Sequence, residues 1–315
     1  MIQWLIELRG ALFEAWVVPA MYALGLMQWS EDAYDWLNFM LFGLLQIVVT
    51  VLVCRPLEGW RPVEKVTDHA AVRTDMVFTV VRNLGLLPLA MFVLFRPIAV
   101  AWEAGLARLG FVAPTLEVLW PGLAHAPFLS FVLYVVLLDL ADYWRHRLQH
   151  SVGWWWALHS VHHAQAQMTY WTDARNHLLD DILRAAWFAG AATLIGIPPG
   201  QFPLATLVLR LVESLSHANL RTGFGRVGGK LVVSPQFHRV HHARDHATGP
   251  HEAAHGCNFA VLLPVWDMLF GTARWGHDYP ATGDATGSAR LAHGGWFGTQ
   301  AAGLARLART LVGRG

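Results

Sequence analysis

Residues 36–54 read WLNFMLFGLLQIVVTVLVC, and this run of apolar side chains decides the class of fold. A helix needs about 20 mostly apolar residues to cross the hydrocarbon core of a bilayer. The whole chain has the same character, because 55% of its 315 residues are hydrophobic and only 14% are charged. Soluble domains are ordinarily more polar than this. The sequence therefore predicts an all-α, polytopic membrane protein.

Three further stretches have the length and apolar character of membrane spans, which predicts about four transmembrane helices in total. These stretches are residues 11–28, 77–101 and 127–143. Glu14 and Pro19 weaken the first, so we expect a tilted or interfacial helix there, and Arg82, Asn83 and Pro88 interrupt the second. The 16 tryptophans of the chain suit a protein that meets two membrane–water interfaces.

Two shorter apolar runs, 185–197 and 204–215, flank the sequence PPGQFP. Neither is long enough to cross comfortably, so we predict a re-entrant hairpin of half-spans. The loop at 55–75 is basic and the connection at 29–35, WSEDAYD, is acidic. Because basic loops stay in the cytoplasm, this topology predicts a histidine-rich cap on the cytoplasmic side. The predicted regions are N-terminal membrane helices (1–110), a catalytic region (111–280) and a C-terminal tail (281–315).

Charge and cysteine content exclude several classes of function. The formal net charge of +1 gives no field that would favour a nucleic-acid partner. Two cysteines, Cys54 and Cys257, are too few for a disulfide framework or a cysteine-based zinc site.

The last stretch, TQAAGLARLARTLVGRG at 299–315, predicts either an amphipathic helix on the membrane surface or a frayed tail.

Eight of the 17 histidines lie in three tight clusters. The clusters are His146 and His150 in HRLQH, His159, His162 and His163 in HSVHH, and His238, His241 and His242 in HRVHH. Helical residues three or four apart share a face, so each cluster can direct two or three imidazoles at one centre. Histidines in the core or at the interface, each hydrogen-bonded separately, are the alternative interpretation.

Clustered imidazoles indicate a metal site, since neutral imidazole suits zinc, iron, copper and nickel. A single zinc takes four ligands at most, and the zinc-protease pattern HExxH is absent from the sequence. Eight clustered histidines therefore match two metals that keep open positions. Two such metals can bind and reduce dioxygen, and the membrane setting makes a lipid the expected substrate.

Other polar residues are candidates for support of this site. Asp139 and Asp142 lie on one helical stripe with His146, and each can accept the second N–H of a ligand histidine. Solvation of these aspartates at the end of the helix is the alternative. The single histidines His177 and His217 are candidate additional ligands, with Arg175 and Asp180 as possible neighbours of His177.

The order of these histidines resembles the fatty acid hydroxylase/sterol desaturase superfamily. The pattern runs HRxxH (146–150), HxxHH (159–163), HANL (217–220) and HRxHH (238–242). The flanking sequences SPQFHRVHHARD (234–245) and NFAVLLPVWDMLFGT (258–272) are similar to the family as well. The resemblance covers about 127–275, and its spacing favours the hydroxylase and sterol-modifying branch.

The resemblance implies a membrane-embedded, non-haem di-iron enzyme that uses dioxygen and two electrons to hydroxylate or desaturate a C–H bond of a lipid. Carried over, all eight clustered histidines would bind metal, with His217 and His177 as further ligands. The lipid could be a sterol or terpenoid, a fatty acyl chain or an ether lipid. The sequence shows no cytochrome b5-like domain, so a separate protein would donate the electrons.

Two other functions compete with this interpretation. A membrane transporter or sensor for metals would distribute histidines and acids through several spans, whereas here they gather at one edge. A haem-binding electron-transfer protein would use paired histidines but would not need the adjacent His162 and His163.

Overall fold

The computed structural model describes residues 3–84, 97–98, 100–102, 104–111, 113–244, 256–276, 278–284 and 289–313. Over these ranges the chain is built from helices and loops and contains no β-strand. One isolated antiparallel bridge joins Ala243 and Thr282. The prediction of an all-α protein is confirmed for this part of the chain.

The N-terminal helices are α1 (Gln3–Leu12), α2 (Val18–Ala23), α3 (Ser30–Trp60) and α4 (His69–Leu84). One π-helical turn, Phe13–Val17, joins α1 to α2. The long helix α3 contains the whole apolar run 36–54 from which the membrane fold was predicted.

The central helices are α5 (Leu116–Leu119), α6 (Pro127–Ser151), α7 (Gly153–His163), α8 (Leu178–Ile195) and α9 (Phe202–His217). Proline suits the first helical turn, where its missing N–H costs nothing, and Pro127 begins α6 there. Gly196 ends α8 in the left-handed conformation with φ of 69°, which glycine adopts without steric cost. Helices α8 and α9 are the two arms of the predicted hairpin.

The C-terminal helices are α10 (Gly225–Leu231), α11 (Pro235–His241), α12 (Val265–Leu269), α13 (Ala289–His293) and α14 (Gly295–Leu311). Ser234 caps α11 by accepting a hydrogen bond from the Phe237 N–H at 3.2 Å. Helix α14 packs along α7, so residues 299–311 of the stretch predicted as a surface helix or a frayed tail are helical.

Among the described residues, two helices are long and apolar enough to cross a membrane: Met27–Trp60 and Pro127–Ser151. The predicted span 77–101 contains residues 85–96 and 99, which lie outside the described part of the chain. The count of four spans, and the side of the membrane on which the histidines lie, therefore stay predictions.

Helix α6 is the element around which the central helices assemble. Tyr134 and Leu138 of α6 pack against Phe188 of α8 and Leu209 of α9 in one buried apolar cluster. Helices α8 and α9 thus both rest on α6, and α9 also packs on α3. The histidine-bearing end of α6 is held between α7 and α11, and this arrangement positions the site described next.

Candidate metal centre

The structure gathers nine histidines into two adjacent groups. In each group the ring nitrogens that could bind a metal lie within 4.8 Å of one another. The five-histidine group contains His146, His150, His159, His163 and His241. The four-histidine group contains His162, His217, His238 and His242. All nine are among the predicted metal ligands, and the rings of His163 and His242 stack across the two groups with centroids 4.2 Å apart.

Helical spacing explains how the sequence builds both groups from few elements. His146 and His150, four residues apart near the end of α6, lie in the same group. Each HxxHH cluster divides between the groups. Helix α7 gives His159 and His163 to the five-histidine group and His162 to the other.

The third cluster divides in the opposite sense. His238 and His242, again four residues apart, belong to the four-histidine group, while His241 belongs to the five-histidine group. His217, the last residue of α9, completes the four-histidine group. The two HxxHH clusters therefore interleave, and neither cluster serves one centre alone.

Backbone carbonyls orient four of the rings from outside. The Nδ1 atom of His146 lies 2.8 Å from the Phe259 carbonyl oxygen, and that of His241 lies 2.7 Å from the Cys257 carbonyl oxygen. In the four-histidine group, Nδ1 of His217 lies 2.7 Å from the Glu213 carbonyl oxygen. The fourth pair joins His162 Nδ1 to the Arg175 carbonyl oxygen at 3.2 Å. Since a carbonyl only accepts, each Nδ1 carries the proton and each Nε2 keeps a lone pair.

A carboxylate performs the same role at one further ring. His159 Nδ1 donates to Asp180 Oδ2 at 3.1 Å. Asp180 is itself fixed by Gln149 Nε2 at 2.7 Å and by Trp155 Nε1 at 2.7 Å. Asp180 was considered in the sequence only as a neighbour of His177. Its contact with His159, 21 residues away, arises from the packing of α8 on α7.

The predicted supporting aspartates have other partners. Asp139 accepts hydrogen bonds from the Leu262 N–H at 2.9 Å, the Leu263 N–H at 3.0 Å and Trp266 Nε1 at 2.8 Å. Asp142 accepts a hydrogen bond of 2.6 Å from Arg145 Nε. No hydrogen bond between either aspartate and a clustered histidine occurs in the described structure.

The segment 256–263, which we call the strap, supplies the outer carbonyls of Cys257 and Phe259. Asp139 holds one end of the strap, and Asp267 accepts from the Phe259 N–H at 2.8 Å and the Ala260 N–H at 2.9 Å. Asn258 adopts a positive φ of 57°, which asparagine tolerates better than most residues. The sequence pattern does not predict this function of the strap, although residues 258–272 carry part of the resemblance.

His177 lies outside both groups. It caps α8, because its Nδ1 accepts a hydrogen bond of 3.1 Å from the Leu179 N–H. Its Nε2 lies 3.1 Å from the Gln300 carbonyl oxygen of α14. Both ring nitrogens are thereby used in joining α8 to α14.

The donor atoms of the two groups fit metal ions. Within the described part of the chain, Nε2 of His146, His150, His159 and His242 is buried with no hydrogen-bond partner. His217 Nε2 lies 3.0 Å from His162 Nε2 and 3.0 Å from His238 Nε2. Facing lone pairs repel, and a buried polar atom without a partner is costly, so a cation between these nitrogens would relieve both penalties.

Protonation does not relieve these penalties near neutral pH. Burial first, and then the neighbouring imidazoles, hold the pKa values of His162, His163, His238 and His242 well below the ordinary value for histidine. The neutral form is the form that binds metal. An all-imidazole donor set is suited to zinc, iron, copper or nickel.

A cavity of about 270 Å³ lies beside the metal centre, between α3, α4, α8 and α9. A much smaller space of about 10 Å³ reaches the histidines themselves and is lined by His146, His159, His162, His217 and His238. Asp181 and Arg184 line both spaces. One layer of side chains therefore separates the cavity from the metal centre.

Comparison with known proteins supports the resemblance. Residues 131–272 match the family model described as fatty acid hydroxylase. Alkylglycerol monooxygenase from Homo sapiens is 28% identical over 136 residues, which are 43% of this chain and 28% of that protein. The Danio rerio alkylglycerol monooxygenase is 30% identical over 139 residues, again 43% of this chain and 28% of that protein.

A bacterial relative is similar over the same region. Ornithine lipid hydroxylase OlsE from Rhizobium tropici is 28% identical over 141 residues, which are 45% of this chain and 40% of that protein. The chain thus matches well under two thirds of the length of these relatives. No solved structure matches it significantly. The resemblance predicted from the histidine pattern is confirmed over residues 131–272, and these relatives are named as monooxygenases or hydroxylases.

Proposed function

We propose, from the membership of residues 131–272 in the fatty acid hydroxylase family, that this chain is an integral-membrane di-iron monooxygenase that hydroxylates a lipid. The observation that carries the proposal is the pair of histidine groups. In the described structure, Nε2 of His146, His150, His159, His163 and His242 is buried without a hydrogen-bond partner, and Nε2 of His217 faces that of His162 and of His238. Structural histidines in a core would each have a hydrogen-bond partner.

The five-histidine and four-histidine groups would each hold one iron. His177 would bind no metal and would instead cap α8. Iron suits imidazole ligands and exchanges electrons with dioxygen, whereas zinc suits the same ligands without redox chemistry. When bound, the two irons would supply the activation of dioxygen, with electrons from a separate donor protein. The outer carbonyls and Asp180 keep five of the nine rings, those of His146, His159, His162, His217 and His241, in the tautomer that would present Nε2 to the metal.

Several residues keep water away from the reacting centre. The rings of Phe259 and Trp156 pack against His150, with centroid distances of 5.2 Å and 4.9 Å. His163 and His242 are each only 1% exposed. A buried site that excludes water favours oxidation of the bound substrate over side reactions with solvent.

Hydroxylation, and not desaturation, is the proposed outcome. Relatives from three organisms carry the names monooxygenase or hydroxylase, and their names specify an alkylglycerol or an ornithine lipid. The lipid would enter the cavity of about 270 Å³, which is lined by Phe39, Phe42, Phe188 and Phe202 among others. Sterols or terpenoids, acyl lipids and ether lipids remain the candidate substrates.

The membrane placement follows from the apolar surface of the helices. Trp16 is 74% exposed and Phe128 is 80% exposed, and large apolar side chains seldom face water in such numbers. We propose that these surfaces contact lipid and that the histidine end lies at the cytoplasmic side, where a soluble electron donor can reach it.

The test is transfer of isotopically labelled oxygen from dioxygen into a lipid. The purified, iron-loaded protein is supplied with a reductant, heavy-isotope dioxygen and a total lipid extract, and the products are resolved by mass spectrometry. We expect a lipid that gains one labelled oxygen atom. The His242→Ala variant should form no product, and His125→Ala, which removes an exposed histidine, should match the unaltered protein.

Two results would overturn the proposal. The first is an iron-loaded, folded protein that changes no lipid when dioxygen and electrons are supplied. The second is a haem Soret band that accounts for the iron. A haem is held by axial ligands and would not use two groups of clustered histidines.

A further inference from the structure

The cavity beside the metal centre is apolar along most of its length and polar at the end near the histidines. Phe39, Phe42, Phe188, Phe202 and Leu207 line the apolar part. Gln46, Arg82, Asn83, Asp181, Arg184 and Arg210 line the polar part. A cavity for a plain hydrocarbon would not place three arginines at its inner end.

Carboxylates neutralise two of these arginines. Arg184 donates to both oxygens of Glu213, at 3.0 and 2.7 Å. Arg82 Nη1 lies 3.3 Å from Asp173 Oδ1. Arg210 differs, because its one hydrogen bond within the described structure is a long contact of 3.4 Å from Nη1 to Asn83 Oδ1. In the described structure no carboxylate forms a close ion pair with Arg210, although Asp181 lines the same polar end and lies 3.9 Å from Arg82 Nε. Most N–H donors of Arg210 therefore have no partner among the described residues.

Two buried groups beside Arg210 also lack partners. Arg82 is 8% exposed, and its Nη2 has no hydrogen-bond partner in the described part of the chain. Gln46 is 4% exposed, and its Oε1 likewise has none there. Buried polar atoms are ordinarily paired, so unused donor and acceptor capacity at the wall of a cavity indicates a ligand with polar atoms of its own.

The apolar part of the cavity continues away from the histidines. A second cavity, of about 650 Å³, shares Phe39, Ala189, Phe202 and Pro203 with the first and extends to the turn between α8 and α9. Helix α8 has 18 residues, and a rise of about 1.5 Å per residue makes it about 27 Å long. The two cavities together can accommodate a long hydrocarbon chain that lies along this hairpin.

The polar end is also the end nearest the metal centre. Arg184 lines both the cavity and the small space among the histidines. Arg184 pairs with Glu213, and the backbone carbonyl oxygen of Glu213 accepts a hydrogen bond of 2.7 Å from His217 Nδ1. A lipid that seats its polar group at Arg210 would therefore bring the adjoining carbons, and not its methyl end, closest to the histidines.

The geometry points to an anion-binding subsite at Arg210 and Arg82 that holds a carboxylate or phosphate of the lipid substrate and directs hydroxylation to carbons near that group. The inference rests on the proposed function, since it names the class of substrate for the same site. Arginine binds carboxylate and phosphate through paired N–H donors, and the low polarity of the cavity strengthens such contacts.

Matched amphiphiles test the subsite without turnover. The full-length protein, purified in an uncharged maltoside detergent, is titrated with dodecyl phosphate, dodecanoate, dodecanol and dodecylamine, which share one chain length. We expect at least one of the two anions to bind about tenfold more tightly than dodecanol, which corresponds to about 1.4 kcal/mol. The stronger of the two identifies phosphate or carboxylate as the group recognised.

Single substitutions test whether Arg210 is responsible for the preference for anions. Arg210→Met should remove the preference for anions and leave dodecanol affinity and iron content unchanged, while Arg210→Lys should retain part of the preference. Arg226→Met, which removes an exposed arginine on α10, is the matched control and should bind like the unaltered protein. Equal binding of anion and alcohol, or a preference that survives Arg210→Met, would overturn the subsite.

Product analysis tests the position of oxidation and separates the two proposals. Fragmentation of a hydroxylated anionic lipid should place the new hydroxyl near the anionic group, and hydroxylation at the methyl end would overturn the inference. A protein that prefers anions but contains no iron would retain the subsite and lose the proposed function. An active iron enzyme without anion preference would retain the function and lose the subsite.

Discussion

The five-histidine and four-histidine groups differ in what holds their rings from outside. In the first, His146 and His241 rest on carbonyls of the strap, and His159 rests on the Asp180 carboxylate. In the second, the outer carbonyls belong to Arg175 and Glu213. The first group therefore depends on one loop and one carboxylate, whereas the second depends on the backbone of residues in buried ion pairs.

Buried ion pairs connect the second group to other parts of the protein. Arg175 pairs with Asp75 at 2.6 Å, and both side chains are fully buried. Glu213 pairs with Arg184, which lines the cavity of about 270 Å³.

Removal of a ligand should have the largest effect. His163→Ala should empty the five-histidine group, and His242→Ala should empty the four-histidine group, so each variant should lose about half of its metal. Turnover should fall more than about 100-fold in both, since even residues outside the ligand shell cost 10–100-fold. Metal analysis and a turnover assay measure this, and His125→Ala is the control. Equal loss of both metals in both variants would show that the groups are not separate.

Neutralising Asp180 should weaken one group selectively. Asp180→Asn keeps the shape of the side chain but removes the charge that orients His159, so metal affinity of the five-histidine group should fall about 10–100-fold. Competition with a chelator measures the affinity. A matched loss in the four-histidine group would contradict the comparison.

Loosening the strap should act through the same group. Asp139→Ala leaves the N–H groups of Leu262, Leu263 and Trp266 without their acceptor, and each buried donor left unpaired costs about 1–3 kcal/mol. We expect a lower unfolding temperature and weaker metal binding, with Asp35→Ala, a substitution on α3, as a comparison. Unchanged stability would show that the strap is held by other contacts.

Acid should destabilise the metal-free protein. Burial lowers the pKa values of His162, His163, His238 and His242 in the folded state, so below about pH 6.5 the unfolded chain binds more protons than the folded one. The contribution of these histidines to the free energy of unfolding should therefore decrease as pH falls through that range. Thermal unfolding of chelator-treated protein measures this, and a flat profile would contradict the assigned burial.

The smallest effect is expected at His177. Asparagine is also a good N-cap, so His177→Asn should retain both metals and cost about 1 kcal/mol at most through the lost contact with Gln300. Loss of a metal would return His177 to the ligand set.

The sequence could predict the pairs that a single helix determines. His146 with His150, and His238 with His242, share a face through their spacing alone, and each pair lies in one group. The division of each HxxHH cluster could not be predicted, because it depends on where α7 and α11 lie relative to α6. Helical spacing predicts Asp139 and Asp142 as supporting carboxylates, because they lie on one stripe with His146. The carboxylate that forms a hydrogen bond with a clustered histidine is Asp180, which tertiary packing brings next to His159. Carbonyl partners have no sequence signal, since every residue carries one.

The number of metal ions bound per chain is the decisive measurement for the proposal that two interleaved histidine groups each hold one iron. Protein purified in detergent is analysed for metals and by optical spectroscopy, beside His163→Ala and His242→Ala. The account predicts two irons in the unaltered chain, one in each variant and no Soret band. A single metal that survives both substitutions, or a haem spectrum, would contradict it.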